Sequence, residues 1–560
     1  MSAAFAQRWV PALLGTVVLA FPLRAQLPDV QERVLKNGVR VLMLERPGAQ
    51  AIHARVFIRG GRSDSGDLPP AAADLLAQGL AAPLPAWNAQ VWNQQIEKIK
   101  QEEAVFESLR LERIQRQRKG GEPSLDVAAL EAIRQQILGD LKQENLQAVG
   151  GDPLGRLGVS APEVETGADL MTWGRDLPQA TFNAWCEHES AALRHPCLPW
   201  FPLDRERLIQ ASARGERSPL AILLGTALSG GRYARVFDQQ PAALEAVSWM
   251  DMQAYAKRMV QPERIVIVLV GDVVPESAMR ALEATFGALV GSTESSVTAE
   301  PNTELDEAPG NRRLQANTRD HRLLMAWRIP PIAHADMARI QVLARVLGSG
   351  PRSRLKQRIL TEKHLAKRLE VSTGIPGGRD VSLLLIEAEP DGEHPLEELE
   401  QAIQSEVLRI QQGLLSDEEI RLAQRQMEVE QTMAQEDAGR LARMIGTAHC
   451  QGGDWRLAFR ALSLDKDFTT HEIRETARTY LVPARATTAL LEPDALLAED
   501  PQYSRLARLL RQVLEPRLED PARVEAIMRE TLRQMRMLPS QARDRIVKLL
   551  EAQIKDQAAP

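Results

Sequence analysis

Six consecutive apolar residues, Ile265 to Val270, form the segment that most restricts how this chain can fold. Most of them are β-branched, and Gly271 and Asp272 follow directly. An apolar run without polar alternation is typical of a strand that is buried on both of its faces. The run therefore predicts an interior strand that closes the first part of the chain, with a helix after it at about 276–286.

A similar order of elements occurs twice, which indicates an internal duplication. In the first part, a hairpin with a tight turn at Asn37-Gly38 and a strand at about 54–58 precede a helix at about 70–82. In the second part, a strand at about 322–327 opens a similar series and a strand at about 487–491 closes it. We therefore expect an α+β fold of two homologous halves. Each half should be a mostly antiparallel or mixed sheet covered on one face by helices, and the halves should face each other across a cavity.

Two helical segments lie outside this repeated order. Residues of about 88–146 are rich in Glu, Gln, Lys and Arg and carry apolar residues at helical spacing, which predicts a helical hairpin inserted into the first half. Residues 496–560 are predicted to form a helical tail. Residues 291–317 are rich in Ser, Thr, Pro, Glu and Asn and are predicted to link the halves. The N-terminal and C-terminal domains are thus expected at 26–290 and 318–495.

The first 25 residues have the pattern of a secretory signal peptide. Arg8 precedes an apolar segment from Val10 to Phe21, and Ala25 is a small residue suited to cleavage. The apolar segment is shorter than the roughly 20 residues of a spanning helix, and no later segment is apolar for long enough to cross a membrane. We expect export to the periplasm or the outside of the cell. A net charge of −6, spread along 560 residues, argues against a nucleic-acid partner.

Four segments, taken in order, resemble the M16 family of insulinase- and pitrilysin-like zinc peptidases. They are L-K-N-G-V-R-V-L at 35–42, I-R-G-G-R-S at 58–63, the strand ending in Gly271-Asp272, and L-G-S-G-P-R-S-R-L at 347–355. The resemblance covers about Gln31 to Pro493. It implies that zinc is the family metal and that the helix at about 70–82 corresponds to the one carrying the inverted motif H-x-x-E-H. In that motif both His bind zinc and the Glu is the general base.

The positions that correspond to this zinc motif hold other residues here. Aligning the leucines of the helix places Asp74, Ala77 and Gln78 where the family has His, Glu and His. A later segment, D-R-E-R-L-I-Q-A, places Ala211 at the third ligand, a Glu in the family. Alanine cannot accept a proton and glutamine is a poor zinc ligand. The resemblance thus implies a degenerate site without catalytic or metal-binding residues and without a cofactor. Asp74 and Glu206 leave open a carboxylate site for a hard cation.

The second half of the family contributes an Arg and, seven residues later, a Tyr, which bind the peptide and stabilise the transition state. Leu360 and Lys367 stand at these positions. By this alignment, the catalytic residues of both halves are missing. An alignment error at a single position cannot account for both losses.

Three functions are compatible with these observations. The resemblance favours a catalytically inactive, exported subunit that partners an active zinc M16 peptidase and binds extended peptides, for instance at a sheet edge. A second hypothesis is an active zinc endopeptidase with unrecognised ligands, although the nine His residues occur singly and neither H-x-x-E-H nor H-E-x-x-H is present. A third is a scaffold of the cell envelope that is organised by the helical hairpin and the tail.

Overall fold

A computed structural model describes most of the chain between residues 27 and 514, together with short helical pieces of the tail. The predicted signal segment at 1–25 lies outside the described residues. The described ranges are 27–82, 89–119, 126–149, 152–194, 196, 198–214, 218–238, 241–291, 312–318, 321–350, 352–392, 394–460, 467–493, 501–514, 524, 527–528, 531 and 546–550.

The first half is built on a six-stranded sheet with the order β1-β2-β6-β3-β5-β4. The pair β2–β6 is parallel and the other pairs are antiparallel. The elements are β1 Gln31–Val34, β2 Arg40–Glu45, β3 Ile52–Arg59, α1 Ala72–Ala81, α2 Ala89–Lys119, α3 Val127–Val149, β4 Glu163–Thr166, β5 Leu170–Leu177, α4 Phe182–Arg194, α5 Phe201–Arg214, α6 Pro219–Ala227, α7 Pro241–Glu245, α8 Trp249–Met259, β6 Ile265–Gly271 and α9 Pro275–Thr285.

The second half is built on a five-stranded sheet with the order β7-β11-β8-β10-β9, in which only the pair β7–β11 is parallel. Two π-helical segments, Arg345–Ser349 and Lys356–Glu362, lie between its first helix and β9. The elements are β7 Arg312–Thr318, β8 Arg322–Ile329, α10 Met337–Ala344, β9 Ala366–Ile375, β10 Ser382–Pro390, α11 Leu396–Gln411, α12 Asp417–Glu436, α13 Ala438–Gly452, α14 Thr470–Tyr480, β11 Thr487–Pro493 and α15 Pro501–Leu514. The α+β fold class with two mixed sheets is confirmed.

Strand β6 is fully buried because different helices cover its two faces. Ile265, Ile267 and Leu269 point into the core that the sheet forms with helices of its own half. The alternate residues Val266, Val268 and Val270 point to the opposite face and pack against α13 from the second half. Since neither face meets water, no position in the strand favours a polar side chain, which explains the continuous apolar run.

The halves exchange one helix each. Helix α13 packs Leu441, Ala442 and Ile445 against the open face of the first sheet. Helix α6 packs Leu223 and Leu224, with Ala227, against the second sheet. Each sheet thus has helices of its own half on one face and a helix of the other half on the opposite face. Where the halves face each other, these two helices cover the sheets. The cavity expected between the halves stays a prediction.

The helical hairpin is confirmed as α2 and α3, and it is fixed to the first half. The buried carboxylate of Glu102 accepts a hydrogen bond from Arg134 Nε (2.9 Å) and one from Arg205 Nη2 (2.7 Å). Both guanidinium groups also lie over the ring of Phe106, at 4.4 and 4.0 Å from its centroid. The two arginines lie on α3 and α5, so this buried cluster ties both hairpin helices to the domain.

The predicted linker at 291–317 extends too far. Strand β7 occupies residues 312–318 and pairs in parallel with β11 at an edge of the second sheet. The polar sequence of β7 did not indicate a strand, because an edge strand can leave much of its surface in water. Leu314 of this strand packs against the core that includes α6.

In the tail, Leu506, Leu510 and Val513 of α15 are buried, and the first two form a small cluster with Val524, Met528 and Val547. None of the described helices combines the length and apolarity needed to span a bilayer.

Candidate functional site

The position of α1 is fixed by a close backbone contact in the segment that precedes it. After β3 the chain passes through Gly60 and Gly61, and a Cβ atom on Gly61 would lie 2.3 Å from the carbonyl oxygen of Gly167. Only glycine fits this approach. A 3-10 turn, Arg62–Asp64, then leads towards α1, which buries most of its surface in the first core. The predicted helix of the degenerate motif is therefore present and rigidly placed.

Asp74 is held by an arginine instead of facing an open site. Its two carboxylate oxygens accept hydrogen bonds from Arg62 Nε (2.9 Å) and Nη2 (2.7 Å), and both side chains are largely buried. A bidentate pair of this kind fixes both groups in one orientation. Asp74 is thus already neutralised and oriented by a protein cation.

Gln78, one helical turn after Asp74, contacts a second arginine. Arg207 Nη2 donates to the side-chain oxygen of Gln78 and also to Asp204 Oδ1, at 3.1 Å. Burial raises the pKa of Asp204 to about 6, and Arg207 opposes this rise. These contacts join α1 to α5, the helix that carries Ala211.

The remaining predicted positions differ in burial and in their contacts. Ala77 is fully buried in the first core, whereas Ala211 is exposed and lies one helical turn beyond Arg207. Leu360 packs against the second core. Lys367 lies on β9, where its ammonium group forms an ion pair with Glu389 at 2.7 Å. The hydrogen bond from α5 to Gln78 thus comes from Arg207, one helical turn before Ala211.

These residues do not fit a zinc ion. The polar side chains on α1 are one carboxylate and one amide, each bound to a guanidinium group, and neither alanine supplies a ligand. The carboxylate site left open by the sequence is not formed either, since Glu206 accepts from Arg134 Nη2 at 2.7 Å and from Gln210 Nε2 at 2.6 Å. Within the described ranges, no group of three or more His, Cys, Asp and Glu side chains could hold a metal ion.

A buried polar cluster where the halves meet was missed by sequence reasoning. The Asp169 carboxylate accepts hydrogen bonds from the Tyr233 hydroxyl, the backbone N–H of Gly378 (2.7 Å) and of Arg379 (3.2 Å), and Gln451 Nε2 (3.1 Å). Burial raises the pKa of Tyr233, as does the neighbouring Asp169 carboxylate. The five residues come from four distant parts of the chain, so no local motif indicates their contact.

Arg379 connects this cluster to the 3-10 turn that precedes α1. Its Nη2 donates to Asp64 at 3.0 Å and to Ser63 Oγ at 3.0 Å. Arg232 in turn donates to Asp380 at 3.0 Å. The second half therefore holds the turn that precedes the degenerate helix, which couples the position of α1 to the junction of the halves.

Comparison with known proteins agrees with this architecture. Residues 247–427 match the sequence family described as "Peptidase M16 inactive domain". Comparison with curated proteins found no match.

Among solved structures, a protease from Helicobacter pylori is similar over 83% of this chain and 100% of its own, with a TM-score of 0.63 and 15% identity. A peptidase M16 inactive domain from Pseudomonas fluorescens is similar over 83% of this chain and 98% of its own, with a TM-score of 0.61 and 15% identity. The first half of the periplasmic protease PqqL from Escherichia coli is similar over 90% of this chain and 96% of its own, with a TM-score of 0.54 and 13% identity. Residues 247–427 therefore match the M16 inactive-domain family, the fold of the chain is similar to those of these solved proteins, and the sequence lacks H-x-x-E-H.

Proposed function

We propose that the protein is an exported, non-catalytic M16-like subunit that binds extended peptides beside an active, zinc-bearing M16 peptidase. The observation that carries this proposal is that two arginines bind the polar side chains of α1 that align with metal ligands of the family. Arg62 holds Asp74 and Arg207 holds Gln78, so each polar side chain on this face already has a cationic partner. A zinc ion would have to displace both guanidinium groups and would still find no nitrogen or sulfur ligand.

The packing between the halves indicates that a second chain is needed to enclose a peptide. Helices α6 and α13 each bury apolar side chains against the sheet of the other half, and the Asp169 cluster lies between them. Opening the halves as a clamshell would expose both apolar faces to water and leave buried charges without partners. A closed chamber around a peptide therefore requires a surface from another molecule.

An open sheet edge supports peptide binding. Strand β4 is at the edge of the first sheet, where it pairs with β5, and no other described strand pairs with its outer side. Helix α1 packs against this edge. An extended peptide can add to such an edge through backbone hydrogen bonds, with alternate side chains on the two faces. The proposed peptide site is thus next to the degenerate helix.

Co-expression with an M16 chain that carries H-x-x-E-H tests the partner role. We expect the two chains to co-purify in a fixed ratio by native mass spectrometry and to hydrolyse an extended peptide faster than the active chain alone. Replacing the Glu of the partner's motif should abolish hydrolysis without affecting assembly. This control separates the contribution of the partner from any activity of the present chain.

Two results would contradict the proposal in different ways. Consistent failure to assemble with active M16 chains favours the envelope scaffold. Zinc-dependent hydrolysis by this chain alone, with one tightly held zinc per chain by elemental analysis, favours an active peptidase. Export is tested separately: cell fractionation should place the protein outside the cytoplasm, and N-terminal sequencing should start at Gln26.

A further inference from the structure

Helix α13 carries a histidine on the face that covers the first sheet. Leu441, Ile445 and His449 recur every four residues and therefore lie on one face of the helix. The first two pack against the apolar face of the first sheet, and His449 is only 1% exposed. Leucine and isoleucine are often fully buried, whereas a buried imidazole normally has hydrogen-bond partners.

The imidazole of His449 lacks such a partner at one of its nitrogens. Among the described residues, no group forms a hydrogen bond with its buried Nδ1 atom. Burial lowers the pKa of His449, so the ring is uncharged at neutral pH. An uncharged imidazole has one N–H, whereas the protonated ring has two and needs an acceptor for each.

The charged groups around His449 do not supply a free counterion. Strand β6, which α13 also covers, is apolar throughout. The nearest acids already have basic partners: Glu32 is paired with Arg40 at 3.1 Å, and Asp454 is paired with Arg456 at 3.2 Å. The charged groups that act on the ring are Glu32 of β1, Arg40 of β2, Arg59 of β3 and Asp454, which follows α13.

We infer that protonation of His449 weakens the attachment of α13 to the first sheet, so that acid favours opening of the junction between the halves. An imidazolium in the attached helix would be buried without an acceptor at Nδ1 and without a free carboxylate, which is unfavourable. In the detached helix the same ring is in water and titrates at about pH 6.5. The attachment is therefore strongest above that pH and weakens as the pH falls below it. This inference does not depend on the proposed peptidase partner.

Hydrogen exchange followed by mass spectrometry measures the attachment of α13. Because detachment is coupled to the uptake of one proton, its equilibrium constant should rise about tenfold between about pH 7.5 and about pH 5.5. We expect the amides of α13, corrected for the intrinsic effect of pH on exchange, to lose about tenfold in protection. The amides of α11, which packs in the core of the second half, should keep their protection.

Matched substitutions identify the titrating group. His449→Gln keeps a polar, uncharged side chain and should reduce the acid response of α13 to less than about twofold. His188→Gln, at a histidine of α4 whose pKa is also lowered by burial, should retain the tenfold response. A third measurement needs no substitution, since exchange at the imidazole C2 position of the wild type should give His449 a pKa below about 6.5.

Four results would each overturn the inference. They are an α13 that keeps its protection in acid, a His449→Gln variant that still responds tenfold, an equal loss of protection in α11, and a wild-type His449 that titrates at or above about pH 6.5.

Discussion

The junction between the halves and the degenerate site on α1 are built in different ways. At the junction, buried apolar faces meet and a fully buried carboxylate has four donors. At the degenerate site, the link between α1 and α5 depends on Arg207, whose side chain is 63% exposed. The difference indicates that the shape of the molecule depends on the junction, whereas the exposed contacts between α1 and α5 can change at small cost.

Removing the central carboxylate of the junction should have the largest effect. Asp169→Ala leaves Arg379, Tyr233 and Gln451 without their buried acceptor, which we expect to lower the free energy of unfolding by about 3–5 kcal/mol. Urea unfolding followed by tryptophan fluorescence measures this loss. Asp391→Ala, at an exposed carboxylate of the second half, is the control and should be nearly neutral. Equal effects of the two substitutions would contradict the importance of the cluster.

A matched pair of glycine substitutions compares the two exchanged helices. A Cβ atom on Gly446 of α13 would lie 2.2 Å from the ring of Phe57, so Gly446→Ala should destabilise the protein by about 1–3 kcal/mol. The nearest atom to a Cβ on Gly225 of α6 is 3.9 Å away, so Gly225→Ala should be neutral or stabilise by up to about 1 kcal/mol. Thermal unfolding of both variants shows whether α13 packs more closely on the first sheet than α6 packs on the second.

The degenerate site should respond to pH through Asp204. Burial raises the pKa of this carboxyl to about 6, above the ordinary value of about 3.9 in an unfolded chain. The folded state therefore binds the proton more tightly, so the stabilisation from this group is full below pH of about 4 and is lost as the pH rises to about 6. Asp204→Asn should remove this dependence, which is on the order of 2 kcal/mol. Unchanged pH profiles of stability in the variant would contradict the assignment.

The smallest effect is expected for the exposed arginine of the same site. Arg207→Met keeps the aliphatic stem and removes the contacts with Gln78 and Asp204, which should cost less than about 1 kcal/mol. The same urea titration, repeated at high salt, should show an even smaller difference from the wild type. A loss as large as that of Asp169→Ala would mean that the degenerate site supports the fold as strongly as the junction does.

The sequence predicted the elements with strong local patterns. Ile265 to Val270 indicated the interior strand, and the helical spacing of the 88–146 segment indicated the hairpin. Helix α13 was missed, because Gly439 and Gly446 weaken its helical signal. Gly446 is needed there, since a Cβ atom would lie 2.2 Å from the ring of Phe57. The resemblance located α1, but the partners of Asp74 and Gln78 could not be predicted. Arg207 is 129 positions from Gln78, and only the fold brings them together.

Because the halves exchange helices, one face of the first sheet stays uncovered while the rest of the chain is synthesised. When β6 has been synthesised, the first sheet can form, but the face that includes Leu42, Phe57 and Val268 has no cover until α13 emerges. The growing chain must therefore carry a large apolar surface during the synthesis of most of the second half, when it is prone to aggregation. Neither half can complete folding alone, so separately expressed halves should be insoluble unless they are produced together.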